Sequence, residues 1–133
     1  MRYFKFRCAL LGMLTFFNCK KNESESIQLI TPTEMKEISE IEGIQLVDVR
    51  TPGEYKQGHL PNAINIDFLD PNFDTNIQQL DKTKPVIVYC QHGSRSAKCA
   101  SQLIINGFVK VYDLDHEEES KFLALPSKKQ EEN

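Results

Sequence analysis

The clearest strand pattern in the chain is Pro85-Val86-Ile87-Val88-Tyr89, four β-favouring side chains behind a proline. A continuous run of this length, bounded by polar residues, reads as a strand buried on both faces, the habit of parallel sheets. Ile44-Gln45-Leu46-Val47-Asp48-Val49 has the same character. Gln28-Leu29-Ile30 and Ala63-Ile64-Asn65-Ile66 read as brief strands, and Phe108 to Leu114 as the last one. Between these runs the period becomes helical. Thr31-Pro32-Thr33-Glu34 is a helix start, with Thr31 as N-cap, Pro32 in the first turn and Glu34 completing a capping box. That helix is expected to turn Met35, Ile38 and Ile41 inward and to stop at Gly43.

Thr51-Pro52-Gly53 breaks the second strand, and Glu54-Tyr55-Lys56-Gln57 is a short helical turn closed by Gly58. Asp67 to Lys84 is polar, with a short helix around Ile77 and Leu80. A longer helix runs from near Arg95 to Asn106, with Ala100, Leu103 and Ile104 inward and Gly107 as its stop. Asp115-His116-Glu117-Glu118 offers a second capping box, ahead of a helix carrying Phe122, Leu123 and Leu125. The tail from Ser127 is charged. Strands alternating with short helices define an α/β fold, a mainly parallel sheet flanked by helices on both faces.

Composition adds little to that outline and charge adds more. A chain of 133 residues with 40% hydrophobic and 26% charged residues suits one globular domain. The net charge of −3 hides a split, because the first eighteen residues hold Arg2, Lys5 and Arg7 and no acid. Without them 13 basic residues face 19 acidic ones, a net of −6. An acidic body of this kind argues against nucleic-acid binding. Any anion site must therefore be local.

The amino end reads as an address. A basic opening precedes an apolar run from Cys8 to Phe17, shorter than the roughly 20 apolar residues a membrane span requires, and Lys20 to Ser26 is polar. Phe16-Phe17-Asn18-Cys19 resembles a bacterial lipoprotein box, with Phe16 and Asn18 where that pattern has Leu and a small residue. The resemblance implies a signal peptide over 1–18, Cys19 as the lipidated first mature residue and a polar linker over 19–26. A domain over 27–126 and a charged tail over 127–133 complete the expected layout. It also implies a cell-envelope or periplasmic location, with the membrane reached only through the lipid. A plain cleaved signal and an uncleaved anchor are the alternatives. With Cys8 in the signal and Cys19 lipidated, only Cys90 and Cys99 remain in the domain, so no disulfide framework is expected.

Cys90 stands at the carboxyl end of the strongest strand, where open parallel sheets place their sites. The loop Cys90-Gln91-His92-Gly93-Ser94-Arg95 has the composition of an anion cradle. Gly93 permits a tight turn that aims backbone N–H groups at one centre, and the following helix adds its positive end. Arg95 and His92 bring local positive charge. Such a setting favours the thiolate, the nucleophilic form of cysteine. A buried structural cysteine is the bland alternative.

Asp48-Val49-Arg50-Thr51-Pro52-Gly53-Glu54-Tyr55-Lys56-Gln57-Gly58-His59-Leu60-Pro61-Asn62-Ala63-Ile64-Asn65-Ile66 resembles the amino-terminal signature of the rhodanese family. Tyr89-Cys90-Gln91-His92-Gly93-Ser94-Arg95-Ser96-Ala97 resembles its active-site loop, in the family's order and spacing. The resemblance spans roughly residues 27–114. It implies a sulfurtransferase in which Cys90 is catalytic and Gln91, His92, Gly93, Ser94 and Arg95 bind substrate. It further implies a Cys90 persulfide, loaded from a small anionic sulfur donor such as thiosulfate and emptied to a thiol or cyanide. The six residues from Cys90 to Arg95 match the sulfurtransferase loop, whereas the related phosphatases and arsenate reductases use one more. After the last strand the family carries a Gly pair and a Trp-containing helix. Here Asp115 to Glu118 stands in that place and the chain has no Trp. Asn62 replaces a common Gly, a change compatible with positive φ.

Four further residues are read as supporting. Asp48 is expected to brace the active-site loop, and Arg50 and Glu54 to form an ion pair, with direct substrate binding as their alternative. His59 reads as a turn histidine. Cys99 reads as a buried small hydrophobe or, alternatively, as a resolving thiol for Cys90. No metal-ligand spacing is present, so neither metal nor cofactor is expected. A non-catalytic binding module of the envelope and a Cys90–Cys99 redox protein are the competing functions.

Overall fold

The computed structural model describes residues 26–115. The expected signal, Cys19, nearly all of the linker, the second capping box after Asp115, the last helix and the tail lie outside them. Ten short elements follow one another: β1 (Ile27–Ile30), α1 (Pro32–Ile38), β2 (Gln45–Asp48), α2 (Pro52–Gln57), β3 (Ile64–Asn65), α3 (Phe73–Asn76), a 3₁₀ turn (Ile77–Gln79), β4 (Val86–Tyr89), α4 (Ser94–Ile105) and β5 (Val111–Leu114). The five strands form one sheet in the order β1-β5-β4-β2-β3, and every pair is parallel.

The period of two in the strands divides the core. Val86, Val88 and Cys90 point to the face covered by Cys99, Ala100 and Leu103 of α4 and by Phe73, Ile77 and Leu80. Ile87 and Tyr89 point to the opposite face, packed with Ile30, Met35, Leu60, Ala63 and Leu114. All of β4 is fully buried, which explains why its sequence shows no polar alternation.

The first capping box forms as read: Thr31 N–H donates to Glu34 Oε2 at 2.8 Å, and Glu34 N–H to Thr31 Oγ1 at 3.3 Å. Two boundaries differ from expectation by several residues. α1 ends at Ile38 with Ser39 as its cap, and Ile41 is 47% exposed. The chain there closes two tight turns, Ile41 N–H to Ile38 O and Ile44 N–H to Ile41 O, which lift Ile41 off the core. β5 starts at Val111 because Phe108 and Val109 spend their N–H groups on Leu103 O and Lys82 O. Phe108 remains a core residue. α4 begins at Ser94, as expected of a start near Arg95. Asn62 adopts a φ of 64°, the left-handed conformation its substitution for Gly requires.

Ile87, wholly enclosed at the centre of the sheet, is expected to cost about 2–5 kcal/mol when cut to Ala. Leu29→Ala on the edge strand, where the side chain is 63% exposed, is expected to stay within about 0.5 kcal/mol. Urea unfolding of the two variants checks both.

Candidate active site

The register between β2 and β4 pairs Asp48 with Tyr89, and Val49 N–H continues the ladder to Tyr89 O at 3.0 Å. Two strand ends therefore finish side by side, and two helices start just beyond them. Cys90 leaves β4 and the loop turns at Gly93, whose φ of 73° is left-handed and caps α4. A non-glycine residue there would be strained. Ser96 N–H, in the first turn of α4, donates to Cys90 Sγ at 3.3 Å. Ser96 Oγ–H and Ala97 N–H both donate to Gly93 O, at 3.2 and 3.0 Å, fastening the loop to the helix. Cys90 is only 1% exposed, while Gln91, His92 and Ser94 stand at the surface around it. The sulfur is thus recessed at the positive end of a twelve-residue helix.

Arg95 and Glu54 are paired differently from the sequence expectation. Glu54 does not bind Arg50. Its carboxylate takes Arg95 in a two-pronged bridge, NH1 to Oε2 at 2.7 Å and NH2 to Oε1 at 2.9 Å. The same Oε2 accepts Thr51 N–H at 2.9 Å and Thr51 Oγ–H at 2.8 Å. Glu54 is therefore at once the capping-box acid of α2 and a clamp on the active-site loop. The Arg95 hydrogen bonds, joined by those of Thr51, hold the Glu54 carboxyl well below the usual carboxylate range. In return Glu54 raises the Arg95 guanidinium, with smaller contributions from Cys90 and Asp67.

Arg50 turns instead to Asp48. Its backbone N–H reaches Oδ1 at 2.9 Å, and NH2 reaches Oδ2 at 2.6 Å and Gly58 O at 2.6 Å. Asp48 thus spends its oxygens on Arg50 where bracing of the Cys90 loop was expected; the pair is buried, at 8% and 0% side-chain exposure. The guanidinium also lies over the Tyr89 ring, 5.7 Å from its centre. Tyr89 OH accepts Leu60 N–H at 3.0 Å, and burial pushes this phenol far up. His59 stacks on Tyr55 at 3.6 Å with its Nδ1 2.9 Å from Tyr55 O, a turn residue at the surface.

Cys99 is enclosed on the inner face of α4, and burial, aided by the charges of Asp113 and Cys90, pushes its thiol far up. A thiol held protonated is a poor nucleophile, which suits the buried hydrophobe and disfavours the resolving partner. Among the described residues no three His, Cys, Asp or Glu side chains are grouped to hold a metal. Sequence reading missed two contributors. Thr51-Pro52-Gly53-Glu54 repeats the capping pattern of Thr31 to Glu34, so that signal was present. Ser96 acts through a backbone N–H, which leaves no mark in residue type.

Because its folded pKa is depressed, the Glu54 clamp stabilises fully above the ordinary carboxylate value of 4.5. That contribution shrinks as pH falls below it and is gone under the depressed value. Glu54→Gln is therefore expected to melt lower than wild type at about pH 7, with the gap closing toward about pH 2. Thermal melts of both proteins across that range check the sign.

The chain matches the family model of the Rhodanese-like domain over residues 31–116. The thiosulfate sulfurtransferase GlpE of Pseudomonas paraeruginosa is 35% identical over 92 residues, covering 69% of this chain and 81% of the relative. GlpE of Pseudomonas syringae is 33% identical over 84 residues, covering 63% and 77%. Among solved structures, a rhodanese-like domain protein from Staphylococcus aureus superposes with a TM-score of 0.60 at 30% identity, covering 70% of this chain and 89% of that one. Cys90 and both strand-end helices fall within the matched span, and the chain belongs to the rhodanese-like domain family.

Proposed function

We propose that the protein is a sulfurtransferase that carries a sulfane sulfur on Cys90. The observation that carries this reading is Cys90 Sγ at the end of β4, held by Ser96 N–H at 3.3 Å within a six-residue loop. In the first half-reaction the Cys90 thiolate attacks the outer sulfur of thiosulfate or a similar donor. A new S–S bond forms, the donor's own S–S bond breaks, and sulfite leaves with the electron pair. In the second, a thiolate or cyanide attacks the outer sulfur of the persulfide. Cys90 departs as thiolate, giving a new persulfide or thiocyanate.

Ser96 N–H and the amino end of α4 stabilise negative charge on Sγ in both steps. Gly93 supplies the turn, and the Glu54–Arg95 clamp fixes the loop against α2. Gln91, His92 and Ser94 edge the mouth through which donor and acceptor arrive. We further propose that the domain is tethered in the cell envelope through a lipid on Cys19. The basic opening, the apolar run and the position of Cys19 support this.

Incubation with thiosulfate and removal of the excess are expected to raise the intact mass by one sulfur atom, and Cys90→Ser is expected to abolish the gain. Initial rates with cyanide as acceptor are expected to give the parallel lines of a ping-pong mechanism. Absence of sulfur uptake by wild type would leave the non-catalytic binding module. In cells, Cys19→Ala is expected to move the protein from the membrane fraction to the soluble one, which fractionation reads directly.

A further inference from the structure

The charges fixed around Cys90 are poorly matched to a doubly charged donor. Arg95 is the only Lys or Arg from Cys90 to Ser96, and both of its terminal nitrogens are occupied by Glu54 at 2.7 and 2.9 Å. A second carboxylate, Asp67, stands at the same end of the sheet. The chain leaving β3 stays beside β2, with Ile66 N–H on Asp48 O at 3.0 Å and Phe68 N–H on Val49 O at 3.1 Å. This brings Asp67 within electrostatic reach of Arg95. Asp67 Oδ1 accepts Leu69 N–H at 2.9 Å, which fixes the carboxylate in this turn. Glu54 in contact and Asp67 at longer range thus both act on the one guanidinium. The same turn presents Leu69, 63% exposed, an apolar surface with no use for sulfite.

We infer that the site is built for singly charged organic carriers of sulfane sulfur, such as alkyl persulfides and thiosulfonates, ahead of dianionic thiosulfate. Asp67 is the residue that sets this preference and Leu69 meets the organic group. The inference rests on the sulfur-transfer reading of Cys90. With a thiosulfonate, the Cys90 thiolate attacks the terminal sulfur and a new S–S bond forms. The bond between that sulfur and the sulfonyl sulfur breaks, and sulfinate leaves with the electron pair.

Thiosulfate and methanethiosulfonate ion make a matched pair, since a methyl group replaces one charged oxygen. The second-order rate constants for Cys90 persulfide formation are measured with each donor by quenched intact mass at low salt. Each is divided by the rate of the same donor with free cysteine. Wild type is expected to favour methanethiosulfonate by about tenfold on this scale, less at high salt. Asp67→Asn keeps the oxygen that accepts Leu69 N–H. It is expected to speed thiosulfate about tenfold and methanethiosulfonate about threefold, shrinking the preference about threefold. Glu42→Gln, at the other end of β2, is expected to leave it unchanged. Loading with no preference beyond that of free cysteine, or a preference untouched by Asp67→Asn, overturns the inference alone. Failure of both donors to load Cys90 overturns the sulfur-transfer reading and this inference with it.

Discussion

Everything at the site depends on the parallel pairing of β2 with β4. Parallel ladders finish level, so the chain emerges from both strands at one height and must turn within a few residues. Asp48 opposite Tyr89 fixes that height. From it follow the starts of α2 and α4 side by side, and with them the meeting of Glu54 and Arg95. The clamp is part-buried, at 26% and 21% side-chain exposure, and two-pronged, the geometry in which a carboxylate–guanidinium pair is strongest. One carboxylate caps the start of a helix, fixes a loop and offsets a cation.

The two faces of the sheet divide the labour. On one, Cys90 continues the apolar row of Val86 and Val88, so its sulfur is packed like a core side chain until the loop lifts away. On the other, Arg50 and Asp48 are buried beside Tyr89, whose hydroxyl receives Leu60 N–H. Burying an ion pair is costly unless its remaining hydrogen bonds are met. Gly58 O and the Arg50 backbone N–H meet several of them. This polar knot ties Gly58, which caps the carboxyl end of α2, and Leu60 beyond it to the central strands, which keeps α2 in place.

Much of this was legible in the sequence. The unbroken apolar run of β4 has one physical reading, and Cys90 at its end with Gly93 three residues on made the loop plain. Asn62 announced its own backbone angle. What could not be read were partnerships. Arg50 and Glu54 stand four apart in a helical-looking stretch, so pairing them was the local choice. Arg50 lies before the helix starts, however, and its side chain follows the strand back toward Asp48. Glu54 finds its partner 41 residues away, a contact no local spacing encodes. Ile41 failed for a related reason. Periodicity placed it inward, but α1 stopped one turn sooner and the period lost its meaning.

The 41-residue separation between Glu54 and Arg95 also bears on how the protein comes into being. Contacts between distant segments form only after the intervening loop closes, an entropic toll met late in folding. α4 alone fastens the loop at Gly93 but lacks the Glu54 clamp that fixes its other side. A chain cut between the two segments keeps Cys90 but loses the clamp that shapes its loop. The shape of the Cys90 loop is therefore a certificate of completed folding, issued only once both halves of the sheet have met.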